Sequence, residues 1–529
     1  MKPIQIIFSL VLAGLSTNIY SDEAADPAEI VIGERLFLET RFAQAWSVNP
    51  GKPDPALAKT ITTGKSRLGS FAQGTMNCRA CHMVDEHQDD LGMRIYADFA
   101  AASPIPDRKD GNHKTGRNSM ALVNISKDDV SNILFHFDGE FNSLEDLVVG
   151  TFTGRNFGWR ADEKQAAIKH IGKVIRNDDG TGELAKEFGG SYSKILTGTD
   201  ESIAKEFRLP AEYRVNTSTA SDEKILNAVA KLVTAYTASL SFATDDDGLY
   251  SGSPYDIFLK LNKLPRAPEQ GETKIAYNNR LLQRVNTLSK PFFVSKQHGD
   301  FESHQQSFQF GKKELKGLQL FLRSGDTSQS GGNCASCHQA PHFTDFRFHN
   351  TGISQNQYDK LHGNNTFNKL AIPSLGERNK NPARYLPASS QHPDASSMFR
   401  AHASKDKPGY TDLGLWNVFA NNNIPGPQQK IIAILCDANQ PCDTESMLKE
   451  SIASFKTPSL RDSGHSAPYM HTGELRTLEE VLAMYVTNSQ LAQQGKLRNT
   501  DKALTNIRLT SNDINHLVAF INSLNEDYD

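Results

Sequence analysis

The sequence predicts a mainly α-helical protein built from two similar units with long loop insertions. Three observations carry that reading. The pentapeptides Cys78-Arg-Ala-Cys81-His82 and Cys334-Ala-Ser-Cys337-His338 lie 256 positions apart. Each follows an amphipathic helical stretch with the same marker, Gly33-Glu-Arg-Leu36-Phe37-Leu38 before the first and Gly317-Leu-Gln-Leu320-Phe321-Leu322 before the second. Runs with the two-residue period of a strand are sparse.

The elements follow in chain order. Lys2, the mostly apolar run Ile4 to Leu15 and the small or polar stretch Ser16 to Ser21 predict a signal peptide over 1–21, cut near Ser21 or Asp22. The run is short for a membrane span. The first unit, 22–245, holds the Gly33 helix, a polar insertion around 43–72, the first pentapeptide and a closing helix over Glu223 to Tyr236. Residues 246–304 read as a connector. The second unit, 305–529, has a helix from Lys312 or Lys313, the second pentapeptide, a long polar insertion at 385–450, and a closing helix over Leu509 to Ile521 capped by Ser511. From Gly to first cysteine is 45 residues in the first unit and 17 in the second.

With 57 basic and 61 acidic side chains the net charge is -4, which argues against a nucleic-acid partner. Four of the six cysteines sit in the pentapeptides. Cys436 and Cys442 remain, and in an oxidising compartment they are expected to close a local disulfide.

C-x-x-C-H is the attachment signature of c-type haem. Two thiols on one turn form thioethers to the two vinyl groups of one porphyrin, and the adjacent histidine becomes an axial ligand of its iron. A zinc knuckle would want its second ligand pair within a few tens of residues. The reading is therefore two covalent haem c groups, on Cys78, Cys81 and His82 and on Cys334, Cys337 and His338, in two class I cytochrome c-like domains packed against each other. Such attachment happens outside the cytoplasm, so the export signal points to the periplasm.

Further segments extend the pattern: Arg117-Asn118-Ser119, Phe137-Asp-Gly139 with Leu144-Glu-Asp146, Phe343-Thr-Asp345 with Phe348-His-Asn-Thr-Gly352, Phe455-Lys-Thr-Pro-Ser-Leu-Arg461, and Ala467-Pro-Tyr-Met-His-Thr-Gly473 followed by Thr477-Leu-Glu-Glu480. With them the chain resembles the bacterial di-haem cytochrome c peroxidase and MauG superfamily. The resemblance implies that hydrogen peroxide reacts at the haem on His82. The haem on His338 is then a six-coordinate electron relay. Its second axial ligand is implied to be Tyr485, as in the MauG-like branch, with Met484 the alternative one residue earlier and about 100° away around the helix. A thioether favours ferrous iron, whereas a phenolate favours ferric and higher states. A calcium ion between the units is implied on the side chain of Asn118 and the carbonyls of Ser466 and Pro468, hard oxygen donors of the kind calcium takes.

The chain departs from that pattern at two places. Phe137 stands between the haems where the family has tryptophan, and phenylalanine is harder to oxidise and has no N–H. Above the first haem, where the peroxidases carry an acid–base glutamate, counting from Phe137 reaches Phe157. Nearby Arg155 is a candidate to polarise peroxide and Trp159 a candidate oxidisable side chain. His113 is a candidate cap on the first haem, and His342 reads as a polar loop residue. The expected activity is peroxide reduction, fed by a small periplasmic donor such as a cytochrome c or a cupredoxin. The alternatives are MauG-like oxidation of a protein or organic substrate by peroxide or O2, and a non-catalytic electron carrier. Homodimers are common in the family.

Overall fold

The computed structural model describes residues 26–48, 50, 76–82, 108–110, 115–125, 133–301, 306–326, 328–436 and 442–526. The expected signal peptide and His113 lie outside them. The fold is mainly helical, with one two-stranded sheet among the described residues.

The Gly33 marker lies in helix α1 (Ala28–Phe37), and the first closing helix is α2 (Asp222–Ser239). The Gly317 marker lies in α3 (Lys312–Leu322), and the last closing helix is α4 (Ser511–Asn522). α1 packs on α2 and α3 on α4. In both pairs the marker glycine sits at the crossing. A Cβ on Gly33 would fall on the Leu232 carbonyl, and one on Gly317 on the His516 carbonyl. The repeat is thus a repeat of one helix–helix contact that needs a residue without a side chain. Thr510, one position before the expected Ser511, caps α4 through a reciprocal pair with Asp513.

Each pair seeds an apolar core. One holds Ile32, Leu36, Phe37, Leu226, Val229 and Val233, with Cys78 and Cys81 packed against it. The other holds Leu318, Phe321, Phe343, Leu517 and Phe520, with Cys334 packed against it. The segment expected as a connector, 246–304, carries helices Pro254–Leu261 and Lys274–Asn286. Their Tyr255, Phe258, Tyr277 and Leu281 join this second core.

The 385–450 insertion is more than a polar loop. Phe399, Leu413, Leu415, Trp416 and Val418 are fully buried and form a third core with Leu134, Tyr358 and Phe367. Each such burial stabilises by roughly 1.5–3 kcal/mol. Arg378, also fully buried, donates to the carbonyls of Trp416, Phe419 and Ala420 and ties the segment's turn together. Cys436 and Cys442 are joined as a disulfide.

Two short strands, β1 (Phe348–His349) and β2 (Phe455–Lys456), pair antiparallel with Phe348 opposite Lys456. They draw the segment after the second pentapeptide against Phe455–Arg461. Among the described residues no helix is long and apolar enough to cross a membrane.

Candidate active site

Both pentapeptides fold as the same tight turn, a single 3₁₀ turn starting at the first cysteine. His82 N–H donates to the Cys78 carbonyl at 2.9 Å and His338 N–H to the Cys334 carbonyl at 2.8 Å. Both cysteines and the histidine of each motif are therefore held on one turn. None of the four thiols is in a disulfide. Burial pushes the Cys78 thiol up, and the Cys334 thiol up to about 12.

His338 Nδ1–H donates to the Phe343 carbonyl at 3.1 Å. This leaves Nε2 without a proton and able to take a metal, the tautomer control that metal-bound histidines use. Burial holds its imidazole neutral by lowering its proton affinity. His349 is treated differently. Against the pull of burial, Asp345 at 2.8 Å and Asp501 at 2.6 Å push it up to about 12, so it is a fixed cation beside Cys337.

Tyr485 and Met484 lie on helix α5 (Leu478–Gln493), inserted between α3 and α4 in chain order and started by Thr477 Oγ1, which accepts the Glu480 N–H. The two residues part ways as the helical period requires. The Met484 sulfur accepts from Asn488 Nδ2 at 3.0 Å, and that amide also donates to the Thr351 carbonyl. Burial pushes the Tyr485 hydroxyl up, with added repulsion from Cys337 and Cys334. The phenol is therefore close to the thiols of the second pentapeptide.

Phe137, Met470 and Tyr485 gather around Phe455, Met484 and Ile353 in one apolar cluster. Lys456 N–H donates to the Phe137 carbonyl at 2.8 Å, and its ammonium donates to the Leu134 carbonyl at 2.7 Å. Burial pulls this lysine down to about 7. His471 stacks on Phe455 at 3.9 Å. Both its ring nitrogens are buried without a hydrogen-bond partner, and burial pulls it down to about 3. Two orphaned nitrogens at this point suit a polar group of a bound cofactor.

The three residues expected around a calcium ion are partly brought together. Asn118 N–H donates to the His471 carbonyl at 2.7 Å, and its Nδ2 donates to the Pro468 carbonyl at 2.5 Å. Its Oδ1 is buried without a donor. Turning the amide over would aim that oxygen toward the Pro468 carbonyl, the arrangement a shared hard cation favours. Ser466 lies two residues before Pro468.

In the first unit Phe157 and Trp159 are buried. Phe157 lies edge-on to Phe152 at 5.1 Å, and the Trp159 N–H donates to the Phe42 carbonyl at 3.2 Å. Arg155 grips Asp110 through two hydrogen bonds, at 2.6 and 3.0 Å. The sequence count along the chain missed Asp110, because it lies 45 residues away and only the fold delivers it. Tyr250 was missed for the same reason. Its hydroxyl meets His342 Nδ1 at 2.8 Å in a part-buried contact.

No family model matches the chain. Among curated proteins it is 27% identical over 197 residues to the cytochrome-c peroxidase IdrP2 of Denitromonas iodatirespirans, covering 36% of each chain. It is 26% identical over 198 residues to the cytochrome-c peroxidase IdrP2 of Pseudomonas sp. (strain SCT), covering 37% of this chain and 36% of that one. A 75-residue stretch is 44% identical to the cytochrome-c peroxidase IdrP1 of Denitromonas iodatirespirans, over 14% of this chain and 19% of that one. The matches thus span about a third or less of these relatives. Among solved structures, the diheme peroxidase BthA from Burkholderia thailandensis E264 is similar with TM-score 0.44 and 17% identity, covering 95% of this chain and 87% of that one. A MauG-like protein associated with microbial copper homeostasis has TM-score 0.44 and 16% identity, covering 96% and 91%. Over about a third of its length the chain is thus similar to proteins named cytochrome-c peroxidase.

Proposed function

We propose that this chain is a periplasmic di-haem c-type oxidoreductase that reduces hydrogen peroxide at the haem on His82, with electrons relayed through the haem on His338. The observation that carries the reading is the pair of matching Cys-x-x-Cys-His turns, each against its own apolar core. Similarity to named cytochrome-c peroxidases supports it. Haem c, when bound, supplies an iron that takes up peroxide and passes electrons. The protein's part is to hold, orient and insulate. Cys78, Cys81, Cys334 and Cys337 anchor the two groups. The Phe343 carbonyl fixes the His338 tautomer. Tyr485 would offer the second haem a hard oxygen donor. Asn118, Pro468 and Ser466 would hold calcium. Asp110, paired with Arg155, offers a carboxylate in the first unit, where the expected glutamate is missing.

A second reading is favoured by two particular residues. Phe137 is a poor stepping-stone between haems, and a Tyr485 phenolate favours oxidised iron. Both suit an enzyme that directs oxidising power at a protein or organic substrate.

Ferric absorption and EPR spectra before and after one equivalent of hydrogen peroxide test the proposal. A high-spin signal from one haem that is lost on peroxide addition is expected. Two low-spin haems inert to peroxide would leave only an electron carrier. Turnover with a reduced cytochrome or cupredoxin then separates peroxidase from substrate oxidase.

A further inference from the structure

We propose that Tyr250 and His342 form a redox-active pair between the two units, in which Tyr250 gives up an electron and its phenolic proton together. The inference rests on the peroxide-reducing reading above and adds a residue to it.

Hydrogen bonding assigns the roles. Tyr250 is 8% exposed. Asn124 Nδ2 donates to its oxygen at 3.1 Å, and His342 Nδ1 lies 2.8 Å from the same atom. With Asn124 donating, the phenol keeps its own hydrogen for His342. Nδ1 is then the bare nitrogen of a neutral imidazole. Oxidising a buried phenol without moving its proton would strand a cation in a poorly solvated site. An imidazole nitrogen already 2.8 Å from the phenolic oxygen, placed to take that proton, removes the obstacle.

Position gives the pair its use. Asn124 belongs to the first unit, where its N–H donates to the Leu240 carbonyl. His342 lies four residues after His338, and the next residue, Phe343, supplies the carbonyl that receives the His338 Nδ1–H. Phenol, imidazole, one peptide and one hydrogen bond therefore connect Tyr250 to the histidine of the second haem motif. Arg461 stacks on the Tyr250 ring at 3.7 Å, with its charge answered by two 2.9 Å bonds to Asp256. A cation over the ring makes it a harder electron donor, and Asp256 offsets part of that. Such a tyrosine is oxidised by a peroxide-derived oxidant and by little else. It supplies an oxidisable side chain between the units that Phe137 does not.

The balance closes on peroxide. Cleaving its O–O bond to two waters takes two electrons and two protons. Tyr250 supplies one of those electrons and the reduced donor protein the other; the two protons come from solvent, and the phenolic proton stays on His342 Nδ1. A later one-electron reductant restores the phenol as that proton returns.

The test is EPR of the di-haem protein frozen shortly after peroxide addition, with and without ring-deuterated tyrosine. A tyrosyl signal that narrows on deuteration is expected. It should be absent from Tyr250→Phe, which keeps the ring packing against Arg461, with haem content unchanged. His342→Gln keeps the phenol and removes the base, so radical yield should fall and the solvent isotope effect on its formation should vanish. The same signal in Tyr250→Phe would overturn the proposal. So would haem spectra that respond to peroxide with no tyrosyl signal in the wild type. Haem spectra that ignore peroxide would sink the peroxidase reading together with this one.

Discussion

Met484 and Tyr485 are sequence neighbours with different surroundings. The Met484 sulfur is committed to Asn488, whereas the Tyr485 hydroxyl feels the thiols Cys334 and Cys337. The proposed ligation therefore predicts that Tyr485→Phe changes the ferric spectrum of the second haem and that Met484→Leu does not. Near-infrared absorption and EPR of both variants check it, and the reverse outcome would move the ligand to Met484. The expectation for Tyr485 rests on seven residues of helical register from Leu478, and those for His82 and His338 on cysteine spacing. Asp110 and Tyr250 could not be found so, since their partners lie 45 and 92 residues away and no local period links them.

Helices carry the repeat. The glycines shared by α1 and α3 sit where α2 and α4 cross them, so the matching sequence markers record matching contacts. Gly317→Ala would push a methyl against the His516 carbonyl and to 2.6 Å from the Phe520 Cβ. We expect it to cost about 1–3 kcal/mol of stability by overpacking, measured by denaturant unfolding. An unchanged midpoint would show that the crossing is looser than described. Periodic amphipathic helices of this sort announced themselves in the sequence. The 385–450 core did not. Its buried Phe399, Leu413, Leu415 and Trp416 are scattered among Gly, Asn, Lys and Asp, with no helical or strand period to mark them.

At the scale of the whole molecule, charged pairs join segments far apart in the chain. Arg117 meets Asp138 at 2.5 Å and Asp412 at 2.7 Å, while Arg400 bonds Glu140 and lies 3.1 Å from Asp138. Arg400 and Asp412 come from the insertion, so it clamps the first unit. Burial alone would raise the Asp412 carboxyl, but Arg117 holds it at about 2. Asp412 is thus ionised in the folded state at pH values where the unfolded chain, at the ordinary 3.8, takes up a proton. Its contribution is complete above about pH 4 and is lost as pH falls toward 2. Asp412→Asn should cost about 3–5 kcal/mol at neutral pH, the usual penalty for breaking a buried pair, and flatten acid unfolding between those values. Thermal unfolding against pH reads both effects. The pairs Arg117–Asp412 and Arg400–Glu140 span 295 and 260 residues, so no local pattern in the sequence marks this clamp.

The account stands on two haem groups held by Cys78–His82 and Cys334–His338. A pyridine haemochrome titration of the matured protein measures this directly. Two equivalents of covalently bound haem c per chain are predicted. One equivalent or none would contradict the account at its foundation.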